Sequence, residues 1–295
     1  MNGLLATLLL FATPLAAEPP AAMKAQTVGH LGEPRLRETS GLAASRRHAG
    51  RYWIHNDSGD GPFVYAIDAQ GKLAGIVQVD GVMSIDWEDI ASFEHDGKAY
   101  LLIGDIGDNL GMRPQYELIA IEEPELPADG SVLHVPAAWE VRFRYPDDTS
   151  HDTESLAVDA ASMSAYVVPK FSEPLTAYRV PLKTENDDIV SAQRWTSFAA
   201  PDGVDPHAAP KFRATAFDIA ADGRHAALLG YRSAWIYTRQ DKESWEAAFA
   251  RAPQRVSMAP PLRQPEALGF DQDSRSIVVT GEGIGEPVLR IELSH

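Results

Sequence analysis

The chain has 295 residues, with 26 Lys and Arg against 42 Asp and Glu, a formal net charge of -16 and no cysteine. The missing thiols exclude disulfides, thiolate catalysis and Cys-ligated zinc. The acidic surface excludes nucleic acid and anionic membranes as natural partners.

In chain order, residues 1–17 (MNGLLATLLLFATPLAA) carry an apolar core followed by Pro14 and small residues. This predicts a secretory signal cut after Ala17, a periplasmic or secreted protein, and a single domain over residues 18–295. No later stretch is long and apolar enough to span a membrane, so a soluble monomer is expected.

Ala25–Leu31 reads as a spare strand. After it, a tripeptide recurs five times at intervals of about fifty to sixty-five residues. The five are Gly41-Leu42-Ala43, Asp89-Ile90-Ala91, Ser155-Leu156-Ala157, Asp218-Ile219-Ala220 and Ala267-Leu268-Gly269. Each opens a hairpin whose second strand begins at Arg51, Ala99, Ala165, His225 or Ser276, and a third strand follows in every case. Four units add a fourth strand, at Ala74–Val79, Trp139–Tyr145, Gln193–Phe198 and Arg255–Met258. Small four-stranded antiparallel units in tandem are propeller blades, because each sheet can bury its faces only against its neighbours. The fold class predicted is therefore all-β, a five-bladed β-propeller in which the N-terminal strand completes the last blade. Six blades would need one hidden in the insertions. Glu122–Pro136, Pro181–Asp188 and Ala199–Pro210 read as loops, and Asp241–Ala250 as a helix with Trp245, Ala248 and Phe249 on one face.

The second unit, Asp86–Asn109, concentrates charge. Asp86, Glu88 and Asp89 precede its first strand, Asp105 and Asp108 end its second, and antiparallel pairing returns both groups to one rim. Such crowding costs free energy unless a cation, a shared proton or a substrate offsets it. The residues just before the tripeptides are Ser40, Glu88, Glu154, Phe217 and Glu266, a column that would circle the central tunnel. The second strands finish at Asp57, Asp105, Lys170, Tyr231 with Arg232, and Glu282, and His55 and His151 border the same rim. Asp57, Asp86, Glu88, Asp105, Asp108, Glu154 and Glu282 are the candidate oxygen ligands for Ca2+ or Mg2+. Glu88, Glu154, Glu266 and Lys170 are the candidate catalytic groups. Lys170, Arg232, Tyr231, His55 and His151 are the candidate substrate contacts. An organic cofactor is not expected. Gly281-Glu282-Gly283-Ile284-Gly285 has no helix after it, which removes the dinucleotide reading. The Asn56-to-Gly61 turn lacks the twelfth-position acid of an EF-hand. No GxSxG or HExxH sequence occurs.

The motifs SGLAAS, WIHNDSG, DWEDIA, LLIGDIGDN, DTESLAVD, QPEALGF and TGEG together resemble a widespread group of bacterial secreted propeller proteins, related in looks to esterase-like-phytase and NHL or WD40-like propellers. The resemblance spans about Glu38 to Leu293 and implies a propeller with Asp57, Glu88, Asp105, Asp108, Glu154, Lys170, Glu266 and Glu282 at shared motif positions. It implies no settled activity. Three functions are open on these residues. The first is a metal-assisted hydrolase of phosphoesters or related esters, with an anionic substrate at the tunnel mouth. The second is a non-catalytic propeller binding a small molecule, glycan or protein there. The third is a two-carboxylate glycosidase.

Overall fold

Asp96 and Gly97 both take positive φ, the conformation a two-residue hairpin turn of right-handed strands requires, and the Asp-Gly pair supplies it. The strands they join, Trp87–His95 and Lys98–Asp105, form the inner hairpin of the second of five sheets in a computed structural model of the chain. That structure describes residues 23–146, 148–172, 174–186, 188–198 and 213–293. The predicted signal at residues 1–17 and the predicted loop Ala199–Pro210 lie outside the described residues.

The five sheets are the five predicted blades. From the axis outward, the first is Thr39–Ala44, Arg51–Asn56, Phe63–Asp68 and Leu73–Asp80. The second continues the hairpin above with Tyr116–Glu122 and Trp139–Arg144. The third is Thr153–Asp159, Ser164–Pro169, Leu175–Pro181 and Gln193–Phe198. The fourth is Ala216–Ile219, His225–Gly230, Ser233–Thr238 and Gln254–Ser257. The fifth is Pro265–Phe270, Ser276–Gly281 and Pro287–Glu292, and Ala25–His30 pairs antiparallel with its last strand. Both ends of the described chain therefore share one sheet and close the ring. Each innermost strand touches the innermost strands of both neighbouring blades, so the chain goes once around an axis.

The core follows from this geometry. Runs such as Leu101-Leu102-Ile103 are buried on both faces because a blade has a neighbour on each side. Five apolar clusters fill the five seams, with Trp53, Val77, Ile103 and Ile119 between blades one and two, and Phe143, Leu156 and Val180 between two and three. The helix packs in the seam between blades three and four, burying Trp245, Ala248 and Phe249 as expected. It spans only Trp245–Phe249, because the Ser244 side chain caps it by accepting the Ala247 amide and Lys242 just before has positive φ.

Two edge strands lie at predicted loops, one inside Glu122–Pro136 and one just past Pro181–Asp188. Leu133–Pro136 pairs parallel with the outer strand of blade one, and Val190–Ser191 with the outer strand of blade two. Lys24 makes the same kind of parallel bridge to Ser257 of blade four. Each piece comes from the following blade, so three seams are latched at the rim and three exposed sheet edges are covered. Among the described residues no helix is long and apolar enough to cross a membrane.

Candidate functional site at the tunnel mouth

The glutamates aligned in the sequence are aimed by β-bulges. Pairing of the inner hairpins slips between Trp87 and Asp89, between Thr153 and Leu156, and between Pro265 and Ala267. The residues left out of the ladder there include Glu88, Glu154 and Glu266. A bulge frees a residue from its cross-strand partner and re-aims its side chain, here at the start of the innermost strand beside the axis. Blade one slips one residue later, keeping Ser40 paired and leaving out Gly41, while blade four pairs without a slip from Ala216 to Ile219 and sets Phe217 in the column.

The ends of the second strands meet these positions through one repeated backbone bond. The amides of Asp57, Lys170 and Glu282 donate to the carbonyls of Glu38, Asp152 and Gln264 at 2.8, 2.9 and 3.2 Å. In blade two the donor is Gly107, to Asp86 at 3.1 Å. Asp105, expected beside Asp57 at the mouth, is in register with Asn56 instead: Asp105 faces Trp87 as Asn56 faces Thr39. Both do the same structural task. Asn56 accepts the amides of Arg37 and Glu38 at 3.0 and 3.2 Å, and Asp105 accepts those of Ile85 and Asp86 at 2.9 and 3.3 Å. Asp105 is fully buried and ion-paired with Arg113 at 2.6 Å.

That shift leaves Gly107 against the acids. A Cβ on Gly107 would lie 2.3 Å from Glu88 Oε1 and 2.5 Å from Asp86 Oδ2, so any side chain there would push both carboxyls out of their present positions. Beside it, one oxygen each of Asp57, Asp86 and Glu88 lie within 4.8 Å of one another. Glu88 is 2% exposed and its Oε1 has no hydrogen-bond partner among the described residues. Burial first, then its proximity to Asp86, pushes Asp57 up to about 7. Burial followed by the charges of Asp57, Asp86 and Asp152 pushes Glu88 well up, against a smaller opposing pull from Lys170. Asp86 is also raised, by burial before anything else. Three carboxyls that resist ionising together form a site short of positive charge.

The rest of the circle is arranged differently. Lys170 is ion-paired with Glu154, both nearly buried, and Glu154 Oε2 has no hydrogen-bond partner among the described residues. Across from them, burial and then a hydrogen bond shared with Glu282 push Glu266 up to about 8. Tyr231 Oη donates to Glu266 Oε1 at 3.1 Å, and Gln264 Nε2 donates to Glu282 Oε2 at 2.9 Å. One carboxylate held beside an ammonium and another held protonated near neutral pH are opposites in the same mouth.

The other expected site residues are placed as follows. Asp108 folds back on its own loop, where burial is outweighed by the amides of Met112 and Arg113 and the Tyr116 hydroxyl, and its carboxyl is held down. His55 is fully buried, edge-on to Trp87 at 5.7 Å with Nδ1 on the Asn56 carbonyl, and burial pushes it down to about 4. His151 is half-buried, packed on Tyr145 at 4.4 Å and bonded to Thr149 Oγ1 at 3.0 Å. Arg232 is exposed on the turn after blade four's second strand. Asp89, expected among the rim acids, is instead a core clamp. It accepts the amides of Ile90, Leu156 and Phe217 at 2.9, 2.8 and 3.2 Å, joining blades two, three and four. Asp218 does likewise with Ile219 and Phe270, joining blades four and five.

Sequence reasoning passed over two mouth residues. Arg213 lies over the Tyr231 and Phe171 rings at 5.8 and 5.1 Å, and Phe171, 49% exposed, follows Lys170 directly. Their signal was position alone, two places before Thr215 and one after Lys170 in the aligned columns. At the opposite end of the tunnel a separate cavity of about 350 Å3 is lined by Arg46, Ser92, Glu94, Asp159, Asp222 and Arg239. Its Arg46 is already committed to Ser92, through Nε to Oγ at 2.9 Å and Nη2 to the carbonyl at 2.9 Å.

No family model and no curated protein matches the chain. Among solved structures it is similar to a gluconolactonase from Xanthomonas campestris, at 12% identity and a TM-score of 0.46, over 92% of this chain and 90% of that one. It is also similar to the WD40 repeats of RRP9, at 10% identity and a TM-score of 0.39 over 87% and 67% of the two chains. U3-55K follows at 11% and 0.38 over 86% and 68%. Likeness at this level says nothing about ligand or reaction.

Proposed function

We propose that the protein is a divalent-cation-assisted hydrolase of phosphoesters or related esters, working at the acidic mouth of the tunnel. The observation that carries the reading is the Asp57, Asp86 and Glu88 cluster, with its buried Glu88 oxygen left without a hydrogen bond against the Gly107 backbone. Oxygen-only donors of this kind suit Ca2+ or Mg2+, which would neutralise the cluster and, once bound, polarise an ester oxygen and lower the pKa of a water.

The chain's own residues divide the proton work. Glu154, ion-paired with Lys170, takes a proton from the attacking water. Glu266, protonated near neutral pH and oriented by Tyr231, gives one to the leaving oxygen as the ester bond breaks. Water thus ends as the new acid's hydroxyl and the leaving group as an alcohol, with no net change in the enzyme once Glu154 and Glu266 exchange protons with solvent. Export across the inner membrane, as the predicted leader implies, would place this site where Ca2+ is plentiful.

The test pairs calorimetric titration of Ca2+, Mg2+ and Mn2+ with hydrolysis of p-nitrophenyl phosphate, bis-p-nitrophenyl phosphate and p-nitrophenyl acetate, each with and without chelator. Cation binding together with chelator-sensitive turnover supports the reading. Cation binding with every ester intact replaces it with a binding propeller, and no response to any cation removes it.

A further inference from the structure

We infer that Lys170, Arg213 and Phe171 form an anion-and-ring subsite beside the cation cluster, and that the ligand taken there is a phosphate monoester with an aromatic or similarly planar substituent. The inference rests on the proposed hydrolase only for where the ester bond would lie.

The mouth is divided by charge. Blades one and two bring Asp57, Asp86 and Glu88 together, with Arg113 committed to Asp105 behind them, while the blade three and four side carries Lys170 and Arg213. The Lys170 ammonium lies 5.8 Å from the centre of the Phe171 ring and the Arg213 guanidinium 5.1 Å from the same centre. Phe171 is therefore flanked by two positive groups, an arrangement its ring quadrupole favours. About half of the Phe171 surface, 49%, is open at an otherwise polar mouth.

The two cations are not equivalent. Lys170 is nearly buried and paired with Glu154, and its charge reaches Glu88 and Glu266 across the mouth. Arg213 is exposed and rests on Phe171 and Tyr231, and among the described residues its side chain meets the Tyr231 hydroxyl. Its remaining fork of N–H donors matches the paired oxygens of a phosphate. A dianionic phosphate set between the carboxyl cluster and this pair needs both the cation on one side and the two bases on the other. The exposed face of Phe171 then offers a stacking surface for a planar group carried on the phosphate.

The experiment is calorimetric binding of inorganic phosphate, phenyl phosphate and phenol to the full chain, with Mn2+ present and absent, in wild type, Arg213→Ala and Phe171→Ala. Both residues are exposed, so both variants should fold, and their melting curves check this. The expected result is that phenyl phosphate binds about two- to tenfold more tightly than inorganic phosphate, the span of one aromatic contact. Arg213→Ala should weaken both phosphates about ten- to a hundredfold, the span of a charge-assisted hydrogen bond, and Phe171→Ala should erase only the preference for the phenyl group. Equal phosphate affinity in wild type and Arg213→Ala overturns the subsite, as does a phenyl preference that survives Phe171→Ala or stronger binding of phenol than of phenyl phosphate. Mn2+ affinity is read from separate titrations of the same proteins. If Mn2+ fails to bind while the phosphate pattern holds, the hydrolase reading falls and the subsite stands. If Mn2+ binds and the phosphate pattern fails, the reverse is true.

Discussion

Replacing Asp57 with Asn tests the electrostatic core of the site without any substrate. Asp57 carries its proton in the folded protein up to about pH 7, mainly because it is half-buried and then because Asp86 is beside it. In the unfolded chain it ionises at its ordinary value near 3.8. Below that value both states are protonated and the group contributes nothing. As pH rises from there to about 7 the unfolded chain releases the proton first, so stability is lost across that window, and the full penalty remains above it. A rise from 3.8 to about 7 corresponds to at most about 4 kcal/mol. The part of the group in contact with water and the proton it shares with Asp86 reduce this to about 1–2 kcal/mol. Asp57→Asn keeps the shape and removes the charge, so it should match wild type near about pH 4 and melt about 2–6 °C higher near about pH 8, in chelator. Added Ca2+ should stabilise the wild type at the higher pH by about 2.7 kcal/mol at a hundred times its dissociation constant, raising its melting temperature, and leave the variant nearly unmoved. Thermal melts over a pH series, with and without Ca2+, give all four numbers. A variant less stable than wild type at the higher pH, or one that answers Ca2+ equally well, would refute the reasoning.

Three further changes separate site from scaffold. Gly107→Ala drives a methyl into Glu88 and Asp86, and should cost about 1–3 kcal/mol in urea unfolding and weaken cation binding more than tenfold in calorimetry. Glu266→Gln replaces a group already protonated at neutral pH, so its melting temperature should change little while turnover of any ester found falls about 10²–10⁴-fold; wild-type turnover should also decline as pH passes about 8. Asp89→Ala strands the buried amides of Leu156 and Phe217, and should cost about 2–4 kcal/mol by urea denaturation, with most of its effect on the whole ring.

The architecture was legible because blades repeat. The Leu or Ile of each tripeptide is a seam residue, Leu42, Ile90, Leu156, Ile219 and Leu268 are all buried, and that demand recurs with the same spacing of turns. What alignment could not show is where a hairpin's register slips. Glu88, Glu154 and Glu266 share a column because pairing slips around each of them in its own blade. Asp105 did not fall where expected, since counting residues from the end of a strand placed it with Asp57 while pairing puts it with Asn56. The parallel latches at Leu133–Pro136 and Val190–Ser191 were invisible for a related reason. Their partners lie in the preceding blade, and a short stretch carries no record of which edge it will cover.

The slip also explains why the mouth is uneven. In blades one, three and five the amide at the end of the second strand, that of Asp57, Lys170 or Glu282, reaches back to the inner strand. In blade two the equivalent residue is Ile106, which is fully buried in the seam with Leu156, and the next amide, Gly107, makes the bond instead. Blade two thus gives up a side chain and contributes bare backbone, and the space released is where Asp57 of blade one approaches Asp86 and Glu88. A side chain at residue 107 would displace the Glu88 and Asp86 carboxyls from where they now meet Asp57. The departure from the repeat, more than the repeat itself, is what concentrates negative charge on one side of the tunnel and leaves Lys170 and Arg213 to face it from the other.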